Sequence, residues 1–248
     1  MIKRTTTPRL LAAALLCLPG FVRADEPGER PLLPPIEPAP MVQVLVDDPL
    51  NSEQDKTDLL IFHGRWDALP AAAELTPNQR ARLALLKDEL ENPALQDELA
   101  DVLLRAEAAL RRGEPETTIQ LLQGAGTAQA ALLASQAYEQ LGQTARAVEL
   151  LKPWRDKLRG DQFNDPAELT AAAEALVALA RLEGRPAQDY QLALNLLGRV
   201  RQDLDPAYWP ALIAEADLLI DKDNPSEGVD ALTAALALNP VCSEVWDR

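Results

Sequence analysis

Any chemistry in this chain must come from a small inventory. There is one histidine, His63, and there are two cysteines, Cys17 and Cys242, beside 39 aspartates and glutamates in 248 residues. Zinc is held by sets of His, Cys and carboxylate ligands at defined spacings. One histidine and two distant cysteines do not make such a set, and no His-Glu-x-x-His is present. Asp47 and Asp48 are adjacent, whereas a calcium loop spaces its acids along a turn. Cys242 would need a base beside it to act as a nucleophile, and His63 is remote in sequence. Cys242 therefore reads as a buried, inert thiol, and His63 as a capping or packing residue just before Gly64. Gly124-Ala125-Gly126 comes nearest to a phosphate-cradling loop, but it lacks a preceding strand and reads as a turn. Glu89 and Glu91 read as part of a solvated helix face rather than as paired glycosidase acids. The sequence predicts no catalytic residue, no metal and no cofactor, and a chain that is not an enzyme in its own right.

The elements around these residues are helical by composition. The chain is 47% apolar but only 4% aromatic, and Ala and Leu, both strong helix formers, carry most of the apolar share. Val, Ile, Tyr and Phe, the usual material of a β-rich core, are sparse. The formal charge is -15. Such acidity opposes binding to nucleic acid or anionic lipid, which relies on Lys and Arg neutralising phosphates.

The N-terminus has the form of an export signal. Lys3, Arg4 and Arg9 precede an apolar run from Leu10 to Leu18, Pro19-Gly20 breaks it, and Val22-Arg23-Ala24 supplies a cleavage site. Nine apolar residues are too few to span a bilayer, and every later Ala/Leu run is interrupted by charge. Residues 1–24 are thus predicted to be removed, placing the mature protein in an extracytoplasmic compartment, periplasmic or secreted, with no integral membrane segment. Losing Lys3, Arg4, Arg9 and Arg23 takes the charge from -15 to -19. A lipoprotein signal at Cys17 is the alternative, disfavoured by the bulk of Leu16 before it.

Residues 25–40 contain six prolines and predict an extended linker, continued to about residue 50. Met41 to Val46 has strand-like residues but no evident partner, and reads as coil. From residue 51 to 248, amphipathic segments alternate with breakers. Ser52 caps a helix running to His63, a second covers Arg65 to Leu75, and Thr76-Pro77 opens a third reaching Glu91. Later breaks fall at Gly113, Gly124, Gly142, Gly160, Asp165-Pro166, Gly184, Asp205-Pro206, Asn224-Pro225 and Asn239-Pro240. Leu99, Val102, Leu103, Ala106 and Leu110 share one face, as do Val148, Leu151, Trp154 and Leu158. Short turns between helices make antiparallel hairpins, none of which buries its apolar face alone.

Aligning these segments on their breakers shows internal repetition. The clearest copy is Ala131-x-x-Ala134-x-x-x-Tyr138-x-x-x-Gly142, followed by Ala147 and Leu151, with Tyr138 expected in the hairpin core. Weaker copies run from Leu99 through Leu103, Ala106 and Gly113, and from Leu176 through Ala180 and Gly184 to Ala193, Leu197 and Val200. Another joins Leu212, Ala216 and Leu219 to Leu232, Ala235 and Asn239-Pro240. This pattern resembles the tetratricopeptide repeat family, most specifically from Thr127 to Pro240. The interval is irregular, with an insertion around Arg159 to Asp165.

The resemblance implies an all-α fold, a right-handed superhelix of antiparallel hairpins whose first helices line a concave groove for a protein or peptide partner. By alignment the groove residues are Glu107 and Arg111, Gln136 and Glu139, Glu174 and Arg181, and Asp217 and Asp221. The family's groove for carboxylate-ended peptides uses Asn and Lys at inward positions, where this chain has mostly Gln, Glu, Leu and Ala, so that ligand is disfavoured. Trp154 and Trp209 read as packing residues. Val241 to Arg248 starts a further hairpin without a returning helix, which reads as an unfinished array. The expected function is a non-catalytic interaction scaffold of the bacterial cell envelope; the alternative is the N-terminal region of a larger secreted enzyme, such as a metallopeptidase.

Overall fold

Residues 37–160, 163–184 and 188–246 are described by a computed structural model, so the segment predicted to be an export signal and most of the predicted proline-rich linker lie outside the described residues. Every regular element among the described residues is helical. Helix α1 spans Pro40–Val46, α2 Glu53–Phe62 and α3 Pro77–Leu86. Four pairs follow: α4 Val102–Arg111 with α5 Pro115–Leu121, α6 Ala128–Gln140 with α7 Thr144–Gly160, α8 Pro166–Leu182 with α9 Gln188–Arg199, and α10 Trp209–Asp221 with α11 Pro225–Leu238. A single turn, α12, covers Ser243–Trp246.

The starts of these helices follow from capping chemistry. Ser52 and Thr76 each accept from the backbone three residues on, while Asp55 and Gln79 reach back to the cap residue's own N–H. Asp101, Thr127 and Asp165 cap α4, α6 and α8 with side-chain oxygens. Proline occupies the first turn of α3, α5, α8, α10 and α11, where its missing N–H has no intrahelical acceptor to lose.

Several expectations from the sequence are corrected. Met41 to Val46 is helical, not coil: Pro40 sits in the first turn and Val42 is 1% exposed. Arg65 to Leu75 holds no continuous helix, only 3-10 turns at Trp66–Ala68 and Ala72–Glu74. Pro70 removes a donor and drives Leu69 to an extended ψ of 148°. Helix α3 stops at Leu86, well before Glu91, and α4 starts at Val102, which leaves Leu99 78% exposed and off the apolar face. Tyr138 is only half-buried, lying under the Arg146 guanidinium, and Ala134 and Ala137 fill the hairpin interior instead. Helix α9 passes into a π-helical turn, Val200–Leu204, closed by Asp205 N–H donating to the Val200 carbonyl at 2.8 Å before Pro206 ends it.

Packing proceeds along the chain in order. The helices within each pair contact one another, and α4, α6, α8 and α10 also touch in sequence, α4 to α6, α6 to α8, α8 to α10. Alanine makes this approach close: Ala106, Ala137, Ala147, Ala172, Ala173, Ala175, Ala193, Ala211 and Ala216 are all fully buried. One local core joins α4, α5 and α6, a second joins α8, α9 and α10, and Trp154 on α7 closes another against Leu132 and Ala172. Trp154 is thus a packing residue, as its position on the apolar face predicts.

The last core reaches back to the first helices. Val42 of α1 and Phe62 of α2 pack with Trp209, Leu212, Ile213, Leu236, Cys242 and Val245. Hydrogen bonds fix this closure. Ala39 N–H donates to the Ala237 carbonyl at 2.8 Å, Trp209 Nε1 to the Phe62 carbonyl at 2.9 Å, and Asn239 Nδ2 to that same carbonyl at 3.3 Å. His63 Nδ1 lies 3.3 Å from the Leu238 carbonyl. The N-terminal helices therefore clasp the C-terminal hairpin.

Candidate functional site

Side chains from successive first helices line a half-open cavity of about 550 Å³. Leu85 and Leu86 come from α3, Leu104 and Leu110 from α4, Leu132 and Leu133 from α6, Thr170 and Ala171 from α8, and Ile213 and Ala214 from α10. The clasp completes the wall with Phe62, Tyr208 and Trp209. Phe62 and Tyr208 stack with ring centroids 5.6 Å apart, and Phe62 and Trp209 tilt together at 5.3 Å.

Polar groups sit one helical turn along the same faces. Leu132 and Leu133 are followed by Gln136, Thr170 and Ala171 by Glu174, and Ile213 and Ala214 by Asp217, in each case at the three- and four-residue spacing that keeps side chains on one face. On α4 the corresponding residues are Glu107 and Arg111, paired at 2.6 Å. Arg82 contributes a second guanidinium from α3, and Gln129 a further amide from α6. Within each of the pairs α4–α5, α6–α7, α8–α9 and α10–α11 the two helices pack against each other. Arg111 is the last residue of α4, Gln136 and Asp217 each stand four residues before the ends of α6 and α10, and Glu174 is at the middle of α8.

Of the eight residues that the repeat alignment places in a groove, five line this cavity: Glu107, Arg111, Gln136, Glu174 and Asp217. The other three lie outside its lining. Arg181 and Glu139 grip each other across α8 and α6, with Arg181 Nη2 at 2.7 Å and 2.9 Å from the two carboxylate oxygens. Asp221 pairs with the adjacent Lys222 at 2.8 Å. Trp209, expected as a packing residue, does pack, and it also forms part of the wall. Arg82, Gln129, Thr170, Phe62 and Tyr208 were not singled out in the sequence. Gln129 and Thr170 could have been found by stepping back one or two turns from Gln136 and Glu174. Phe62 and Tyr208 enter through the clasp, which no local pattern announces.

Two groups report the character of the interior. Tyr208 keeps its proton far above the ordinary phenol range, through burial first and then the carboxylates of Glu174 and Asp165. The hydroxyl of Thr170, a residue only 4% exposed, has no hydrogen-bond partner among the described residues. His63 is buried beside the clasp, and burial lowers its pKa below the usual imidazole value. Cys242 is buried in the closing core. Among the described residues no three or more His, Cys, Asp or Glu side chains gather closely enough to hold a metal ion. No described helix is long and apolar enough to cross a membrane.

No family model matches the chain, and no curated protein is similar to it.

Proposed function

We propose that this protein is a non-catalytic interaction scaffold of the bacterial cell envelope, built as a tetratricopeptide-like superhelix that binds a protein or peptide partner through the inner faces of its first helices. The observation carrying this reading is the cavity itself: the first helices of four consecutive helix pairs and the clasp line it with apolar side chains and with polar groups interleaved along the same faces. Ligand sites commonly combine an apolar lining with a few convergent polar groups in a volume of roughly 300–1,000 Å³. The ordered contacts α4 to α6 to α8 to α10 support the superhelical arrangement. The predicted export signal, residues 1–24, supports an extracytoplasmic location, and no cofactor is needed for such a role.

Site-specific photo-crosslinking tests it. A photoreactive side chain replacing Gln136, inside the cavity, should give adducts with one or a few discrete envelope proteins. The same group at Glu149, exposed on α7, should give none. Equal labelling from both positions, or none from position 136 in a folded variant, would count against the proposal.

A further inference from the structure

We infer that the clasp is a latch: α1 and α2 part from the C-terminal hairpin while the helix pairs stay folded, and this parting unfastens one wall of the cavity. The inference does not depend on what the cavity binds.

Burial sets the clasp apart from the rest of the array. Helix α8 buries nine of its residues and α10 seven, whereas α1 and α2 bury one each, Val42 and Ile61. Of the residues that the N-terminal segment up to Phe62 brings to the closing core, only Val42 is buried; Ala39, Leu45 and Phe62 are partly exposed. The free energy of a local opening follows the apolar area it uncovers, so the segment with the least of it comes away first. A helix of seven residues is also too short to hold its shape alone, so the order of α1 depends on this contact.

The hydrogen bonds point the same way. The Phe62 carbonyl accepts from both Trp209 Nε1 and Asn239 Nδ2, so one backbone displacement releases both. The Asn239 bond and the contact of His63 Nδ1 with the Leu238 carbonyl are long, at 3.3 Å each. On its other side α2 is tied to α3, with Gln79 Nε2 donating to Asp58 Oδ1 at 3.0 Å, and α3 shares a separate core with α4. Opening therefore runs between Phe62 and the C-terminal hairpin and leaves that tie in place.

The same seam belongs to the cavity. Phe62, Leu86, Trp209 and Ile213 contribute at once to the closing core and to the cavity wall. The Phe62 ring meets those of Tyr208 and Trp209, so parting the clasp takes Phe62 off the wall that these three form. Thr170, in the same wall on α8, is 4% exposed with the clasp closed.

Thiol labelling reads both halves of the inference. In the predicted mature chain, residues 25–248, Cys242 is the sole cysteine, and it lies 4% exposed in the closing core. An aromatic disulfide reagent reaches such a thiol only when the core around it opens. In low urea the rate should exceed that set by global unfolding and barely change with denaturant, because a local opening exposes little surface. Ala39→Pro suits the φ of -60° and ψ of 124° at that position and removes the N–H that reaches the Ala237 carbonyl. In the same low-urea range it should speed the reaction about fivefold. Trp209→Phe keeps a ring, loses the bond to the Phe62 carbonyl and should act in the same direction. The double variant Cys242→Ser, Thr170→Cys moves the reporter into the cavity, where Ala39→Pro should accelerate labelling by the same factor. All variants are checked for folding by circular dichroism. A Cys242 rate that tracks global unfolding from zero urea overturns the inference. So does a rate that neither Ala39→Pro nor Trp209→Phe alters, which would assign the exposure to fraying of α12. Acceleration at position 242 with none at position 170 overturns the link to the cavity.

Discussion

At the scale of single residues, the tightest constraint is Gly64. It ends α2 at φ 69°, and a Cβ there would press into Asn239 Oδ1 and Val241 Cγ2, both from the far end of the chain. Gly113 has a similar φ of 77° but open space around its missing side chain. The left-handed conformation alone costs a non-glycine residue about 1–2 kcal/mol. Gly113→Ala should therefore lose about that much in chemical denaturation, and Gly64→Ala clearly more, because Asn239 must shift and weaken its bond to the Phe62 carbonyl. Equal losses for the two variants would show that the clasp yields without cost. Thr170 offers the opposite sign. Thr170→Val keeps the shape and removes an unpartnered buried hydroxyl, so it should stabilise the ligand-free protein by about 1 kcal/mol while weakening any peptide that uses the hydroxyl.

At the scale of elements, boundaries that depend on local chemistry were legible in the sequence, and those that depend on distant packing were not. Ser52, Thr76, Thr127 and Asp165 cap where their residue types say they should. Leu99 was misread because its spacing to Leu103 fits a helix, while Asp101 takes the cap two residues later. Arg65 to Leu75 was misread because its alanines favour helix and one proline overrules them. The cavity was partly legible for the same reason: Gln136, Glu174 and Asp217 follow helical spacing, whereas Arg82, Tyr208 and Phe62 depend on how elements meet. Helix α7 shows an element retaining a local penalty. Pro153 lies inside it on the exposed side, where a proline forfeits a backbone bond at a cost of up to about 3 kcal/mol. Pro153→Ala should raise stability by about 2 kcal/mol, and at about 2–4 °C per kcal/mol for a domain of this size the thermal midpoint should rise by about 4–8 °C. An unchanged or lowered midpoint would mean that the neighbours of α7 require its bend.

At the scale of the whole molecule, the clasp joins the first helices to the last hairpin, and His63 makes that junction sensitive to pH. The ring is 1% exposed, its Nδ1 donates to the Leu238 carbonyl, and Phe62 meets it edge-on at 5.0 Å. Burial is the main cause of its lowered pKa, and Arg65 adds to it; the Leu238 bond and Asp205 oppose them in part. The native state therefore holds a neutral ring where the unfolded chain, with a pKa near 6.5, takes up a proton. Stability from this residue is fully present above about pH 6.5 and is lost as pH falls through the lowered native value. One proton contributes about 1.4 kcal/mol per pH unit, so the loss between pH 6.5 and 5 is at most about 2 kcal/mol. Other groups also titrate over this range, and the carboxyl of Glu215, raised by burial, acts with the opposite sign. The comparison must therefore be a difference between proteins. His63→Asn places an amide nitrogen near the position of Nδ1 and carries no titrating group. Urea unfolding at pH 7.5 and pH 5 should show the wild type losing more stability on acidification than this variant, with the gap confined to that interval. Parallel pH profiles would mean that His63 stays solvated enough to titrate normally in the native state. The clasp would then owe its stability to the Phe62 carbonyl with its two donors, the Ala39–Ala237 bond and the shared apolar core, with no pH-dependent part from His63.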